Sequence, residues 1–262
     1  MSQSSSSEAV EAAGAKKRRS LRDWLSILIL PAWVFASFII AQQLVVALLW
    51  VLRSTGVPLS SVNESMLTAI LAAVIYVMTI GLVVGLPWLV KKQRTTKKDI
   101  ALDRLPLWKD ILMAPAGLVV YIIISAVLMV IVSSLIPGFD AGQVQDTGFG
   151  GLTQRYELIL AFITLVVIAP VAEEVLFRGY LLGKLRKHIP VWVAILVTSI
   201  LFGLIHGAWN LAIDTFALSI ILCVLRLTTG SLWAPILLHM MKNGIAFYIL
   251  FVNPIVNGTI GG

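Results

Sequence analysis

Seven apolar stretches, each close to the length that crosses a lipid bilayer, follow one another between residues 25 and 251. Hydrocarbon offers no partner for backbone N–H and C=O groups, so a spanning segment must satisfy them itself, and a helix does so along its own axis. At 1.5 Å per residue, about 20 apolar residues cross the hydrocarbon core. The chain therefore predicts an all-α fold, a polytopic transmembrane helix bundle of about seven spans. Their limits fall near 25–51, 67–90, 111–135, 158–185, 191–207, 211–227 and 231–251. Composition agrees: 59% of residues are hydrophobic and 13% charged, against about 25% charged in a soluble domain.

Arginine and lysine orient the bundle. One cluster, Lys16 to Arg22, precedes the first span; Lys91 to Lys98 follow the second; Lys184, Arg186 and Lys187 follow the fourth. All three fall on one side of an alternating seven-span topology, and the positive-inside rule makes that side cytoplasmic. The reading places the chain in the cell membrane with a cytoplasmic N-terminus. Much of the positive charge behind the net +7 is clustered between apolar spans, so it sets topology and implies no nucleic-acid partner; the lipid bilayer is the partner it fits. Residues 1–23, Ser- and Ala-rich and then basic, predict a disordered cytoplasmic tail. Residues 24–252 form the bundle. The tail is no signal peptide, because the apolar run after it is too long and lacks a small-residue cleavage site. The single cysteine, Cys223, excludes an intrachain disulfide and a cysteine-based metal site. The stretch 100–110 mixes apolar and charged residues and predicts an interfacial elbow before the third span. Gly81 and Gly85 have the spacing of a close helix contact, and Gln42 and Gln43 suggest helix–helix contacts in the first span.

Against this background the fourth span carries Glu173 and Glu174 side by side, with Arg178 one turn on. A carboxylate at bilayer depth costs several kcal/mol and seldom sits there without a task or a partner. Pro170, just before them, removes a backbone hydrogen bond and bends the helix. Glu174 and Arg178 are four residues apart in the favourable order for an ion pair. Glu173 points about 100° away and has no partner on its own helix. An adjacent acid pair of this kind also serves in purely structural salt-bridge networks. What tips the balance is the rest of the C-terminal half. Phe202 and His206 share a face of the fifth span, and His239 and Asn243 share a face of the seventh. His188, the third histidine, lies in a basic loop. Asp214 shares a face with Asn210 and either supports the site from behind or, the preferred reading, reaches the outer interface; Lys242 snorkels or pairs with an acid.

A carboxylate and a neutral histidine together hold and deprotonate a water. A second histidine and an amide donate to a carbonyl oxygen as it becomes negative. That set fits hydrolysis of a peptide bond by direct attack of water, and no serine or cysteine stands in a nucleophile motif beside a histidine. No cofactor is required. A divalent metal such as zinc is the variant, held by Glu173, His206 and His239 with one open position, although the chain has no HExxH motif.

The three motifs, Glu173-Glu174-Val-Leu-Phe-Arg178, Phe202-Gly-Leu-Ile-His206 and His239-Met-Met-Lys-Asn243, resemble the EExxxR, FxxxH and HxxxN pattern of the CAAX protease and bacteriocin-processing (Abi) family, over about residues 155–250. These proteins resemble type II CAAX prenyl endopeptidases. The resemblance implies an intramembrane endopeptidase acting on a membrane-associated peptide or protein substrate. It makes Glu173 the catalytic glutamate, with His206 helping to activate water and His239 and Asn243 stabilising the oxyanion. Glu174, Arg178 and Phe202 support them. It also carries an alternative, a non-catalytic immunity or scaffold protein that binds a bacteriocin-like or other membrane partner. A proton-coupled transporter would use buried acids too, but would line both halves of the bundle with polar residues, and spans one to three supply few.

One tension accompanies this reading. Counting 1.5 Å per residue, His206 lies ~24 Å along its span from the basic side and His239 only ~12 Å along its own. They meet only if helices tilt, start late or enclose a wet cavity.

Overall fold

A computed structural model describes residues 21–58, 62–143, 152 and 154–253. The tail expected at 1–23 thus lies outside the described residues up to position 20, and 21–23 are already helical. Seven helical segments follow: α1 (Leu21–Ser54), α2 (64–91), α3 (Trp108–Leu135), α4 (Arg155–Leu185), α5 (Val191–Leu204), α6 (Trp209–Thr229) and α7 (Trp233–Val252). Six are long and apolar enough to cross a membrane, and this is the all-α polytopic bundle that the apolar periodicity predicts. The fifth is corrected. It has 14 residues, about 21 Å, and it stops before His206 instead of running through it. Gly207, at φ 78°, makes the turn to α6 with a left-handed backbone that few side chains tolerate.

Helix association in lipid relies on close packing and on polar contacts rather than on the hydrophobic effect, and both are visible. One cluster joins α1, α2, α4 and α5 around Leu176, Phe177, Leu181 and Phe202; a second joins α3, α6 and α7 around Leu218, Leu222 and Leu238. Gly203 is what brings α5 against α6: a Cβ there would lie 2.7 Å from the Ala212 carbonyl oxygen. The Gly81/Gly85 pair does no such thing. It lies in a π-helical stretch of α2, and a Cβ at either position would meet open space.

Residues 92–107 link α2 to α3 as an elbow, so that 108–110 of the stretch expected at 100–110 already belong to α3. The elbow's main chain seats the start of α7: Leu232 N–H donates to the Ala101 carbonyl (3.0 Å), and Trp233 Nε1–H to that of Arg104 (2.7 Å). Arg104 also pairs with Asp110 in the first turn of α3 at 2.5 Å. The helix α7 therefore starts on top of the elbow.

Asp214 is corrected as well. It does not run to the outer interface but accepts hydrogen bonds from Tyr121 (2.7 Å) and Ser125 (2.6 Å) of α3, with Lys242 of α7 at 3.5 Å. It pins three helices together, and Lys242 is its counter-charge.

Candidate functional site

The helix α4 is irregular where the acids sit. Two π-helical stretches, Ile163–Ile168 and Val175–Leu181, flank the short α-helical piece Ala169–Glu174. Such bulges are uncommon and recur at functional sites. Pro170 accounts for part of the irregularity. In the first stretch the Ala169 N–H reaches back five residues to the Thr164 carbonyl. In that register the next acceptor, the Leu165 carbonyl, would take the N–H that proline lacks. Asn243 of α7 supplies it instead, donating from Nδ2 to the Leu165 oxygen at 2.9 Å. The amide expected at the oxyanion thus holds α7 to α4 with one of its two N–H groups.

The two acids face different partners. Arg178 donates to Glu174 Oε1 at 2.8 Å, and both side chains are fully buried. The same oxygen accepts from His239 Nδ1 at 2.9 Å. A carboxylate only accepts, so this bond places a proton on Nδ1 and leaves Nε2 as the other face of the ring. Nε2 lies 3.7 Å from Glu173 Oε2, a separation that suits a bridging water better than a direct bond. Glu173 lacks a partner on its own helix but has one across the bundle: the Tyr76 hydroxyl of α2 donates to its Oε1 at 2.5 Å.

His206 stands just past the end of α5. Its Nδ1 donates to the Phe202 carbonyl at 2.7 Å, one of the last-turn carbonyls that a helix leaves without an intrahelical donor. This fixes the tautomer, with Nε2 as the available lone pair. Phe202, fully buried, is the common wall of the site. Its ring centroid is 4.9 Å from that of His206, 5.8 Å from His239 and 5.0 Å from Phe177, and the Arg178 guanidinium lies 4.3 Å over its face.

Glu173, His206 and Tyr76 line a single cavity of about 410 Å³. Phe38 and Gln42 of α1 and Ala72 and Ile75 of α2 complete much of its wall. Gln42 therefore faces the cavity, not a neighbouring helix. His239 and Asn243 sit behind Glu173 and outside the lining. Two contributors, Tyr76 and Gln42, come from the helices that show no motif. The signal for Tyr76 was a phenol inside an apolar helix, since a buried Tyr O–H requires an acceptor; nothing in the sequence says which one.

Among the described residues no three His, Cys, Asp or Glu side chains gather so as to hold an ion. In the set Glu173, His206 and His239, one nitrogen of each ring is engaged by a fixed acceptor, and Glu173 by a phenol.

Fold and site together define a multi-pass membrane protein whose acids and histidines converge inside the bundle. Residues 155–245, which carry all three motifs, match the family model described as type II CAAX prenyl endopeptidase Rce1-like. Over this segment the chain is similar to the CAAX protease and bacteriocin-processing family. It is 35% identical over 89 residues to an uncharacterized 24.3 kDa protein of Escherichia coli, covering 32% of this chain and 41% of that one. It is 25% identical over 109 residues to the membrane-embedded CAAX protease MroQ of Staphylococcus aureus, covering 39% and 43%. The matches span about two-fifths of the length of these curated relatives. No solved structure matches the chain.

Proposed function

We propose that this protein is an intramembrane endopeptidase that hydrolyses membrane-presented peptides with a water activated by Glu173 and His206. The observation that carries the reading is the convergence of these two side chains, from α4 and from the turn after α5, on one largely apolar cavity. The matched family and the name of the Staphylococcus aureus relative support the same class of activity.

The chemistry follows from the free atoms. Tyr76 holds Glu173 Oε1, so Oε2 is the oxygen left to accept a proton from water, and His206 Nε2 is a second acceptor facing the same space. The hydroxide attacks the substrate carbonyl carbon, and the captured proton goes to the departing amine, as general acid–base catalysis requires. The carbonyl oxygen that becomes negative would be met by the second N–H of Asn243, and by His239 only with a second proton on Nε2, because its Nδ1 proton is committed to Glu174. Both lie just outside the cavity lining, so the substrate carbonyl must reach past Glu173 to meet them. Arg178 is the counter-charge of Glu174 at 2.8 Å. No step passes through a metal. The clusters of basic residues support a cytoplasmic N-terminus.

The test is Glu173→Gln, which keeps the volume and removes the base. Cleavage of a reporter peptide in proteoliposomes should fall to background while the purified protein keeps its helicity and elution profile. Turnover equal to that of the parent would end the glutamate mechanism. Binding of a membrane partner that persists in a proteolytically silent parent would favour the scaffold instead.

A further inference from the structure

We infer that a cleft at the basic end of the bundle, apart from the site above, binds the phosphate of an anionic phospholipid headgroup. The cleft lies between the elbow and the last turns of α4. Its cavity of about 90 Å³ equals the liquid volume of about three waters, which suits one phosphate group and excludes a peptide. Arg94 stands on the elbow side, and Lys184 and Lys187 on the α4 side. Among the described residues none of these three forms an ion pair. Asp99, the acid in the lining, is engaged elsewhere: its Oδ2 accepts from the backbone N–H (2.8 Å) and hydroxyl (2.7 Å) of Thr96. Those bonds hold its carboxyl below the usual carboxylate range. Three cations against one committed anion leave the cleft with an unmet positive charge.

The cleft is built rather than incidental. Gly179 and Gly183, one turn apart on α4, let the elbow lie directly on the helix. A Cβ at the first would come 2.9 Å from Ile100 Cβ, and at the second 3.4 Å from the Asp99 carbonyl oxygen. Its depth argues for a lipid as the source of the phosphate. Trp88, 43% exposed in the last turn of α2, carries the Arg94 guanidinium 5.6 Å from its ring, and exposed tryptophans mark headgroup level. Lys184 extends over the Tyr180 ring at 4.3 Å, its stem along apolar surface and its ammonium toward the cleft. A basic pocket between helices at this level is suited to an acidic headgroup. The inference does not depend on proteolysis.

Native mass spectrometry of the full chain, titrated with phosphatidylglycerol and with phosphatidylcholine, tests it. Phosphatidylglycerol should be retained preferentially. The triple variant Arg94→Gln, Lys184→Gln, Lys187→Gln should weaken it by about a hundredfold, given the usual contribution of each basic residue near an anionic surface. Lys97→Gln with Lys98→Gln, which changes exposed elbow lysines outside the cleft, should weaken it far less than the triple variant. Equal losses in both variants would reduce the effect to general surface charge and overturn the site. Equal retention of the two lipids would do the same. Displacement by inorganic phosphate at millimolar concentration would assign the cleft to a free ion. Should the triple variant fail to fold, Arg94→Gln alone decides: about fivefold weaker binding is expected, and no change overturns the inference.

Discussion

Pro170 and Asn243 form a pair whose coupling can be measured. Asn243→Ala removes a 2.9 Å bond and leaves the Leu165 carbonyl without a donor. Hydrogen bonds between membrane helices average about 0.6 kcal/mol and reach about 1.7, while an orphaned buried acceptor costs about 1–3 kcal/mol. Asn243 is half-buried, so the expected loss is about 1–2 kcal/mol by these figures. In a Pro170→Ala background the backbone at 170 regains an N–H in register with Leu165, and the same Asn243→Ala change should then cost little. The double-mutant cycle should return a coupling of about 1 kcal/mol, above the ~0.5 kcal/mol scatter of independent sites. Reversible unfolding in mixed micelles, followed by tryptophan fluorescence, reads the stability. Activity read in parallel separates the two jobs of the amide: stability should recover in the double variant and proteolysis should not. Additive stabilities would refute the proline argument, and recovered proteolysis would remove Asn243 from the oxyanion.

Tyr76→Phe takes one hydrogen bond from a charged acceptor, worth about 1.5–3 kcal/mol, and should lower kcat about tenfold to a hundredfold with little change in KM. Arg178→Ala leaves the fully buried Glu174 with His239 alone and should destabilise by about 3–5 kcal/mol, seen as loss of the folded, detergent-stable species. Gly203→Ala drives a Cβ onto the Ala212 carbonyl and should cost about 1–3 kcal/mol; because His206 follows three residues later, activity should fall further than stability. Chelation with 1,10-phenanthroline should leave turnover intact, and a loss restored by zinc would shift the chemistry to Glu173, His206 and His239 as ligands.

The helices were legible because each is an apolar run bounded by charge or by Gly and Pro; the end of α5 was not, because Ile205 and His206 continue the apolar face. The i,i+4 pair Glu174–Arg178 was legible for a similar reason, since both partners lie on one helix. What the sequence hid is what happens between helices. Tyr76 and Glu173 are 97 residues apart, and no local spacing links them. Gln42 and Asp214 were each assigned to the wrong surroundings because a single polar residue on a helix carries no mark of which neighbour it meets. The apparent mismatch in depth between His206 and His239 came from counting every helix from one plane. The elbow under α7 and the early end of α5 remove that assumption.

The shortness of α5 has a consequence for the bilayer itself. At about 21 Å against a hydrocarbon core of about 30 Å, α5 is mismatched to the membrane, and its flank is turned to lipid, with Ile200 51% and Leu204 55% exposed. A short apolar segment is accommodated by thinning of the surrounding lipid. The dimple this produces lies beside Leu204, Ile205 and His206, which form one edge of the cavity. For the hydrolysis proposed above, an undersized helix next to the cavity bears on the supply of water as well as on the chemistry.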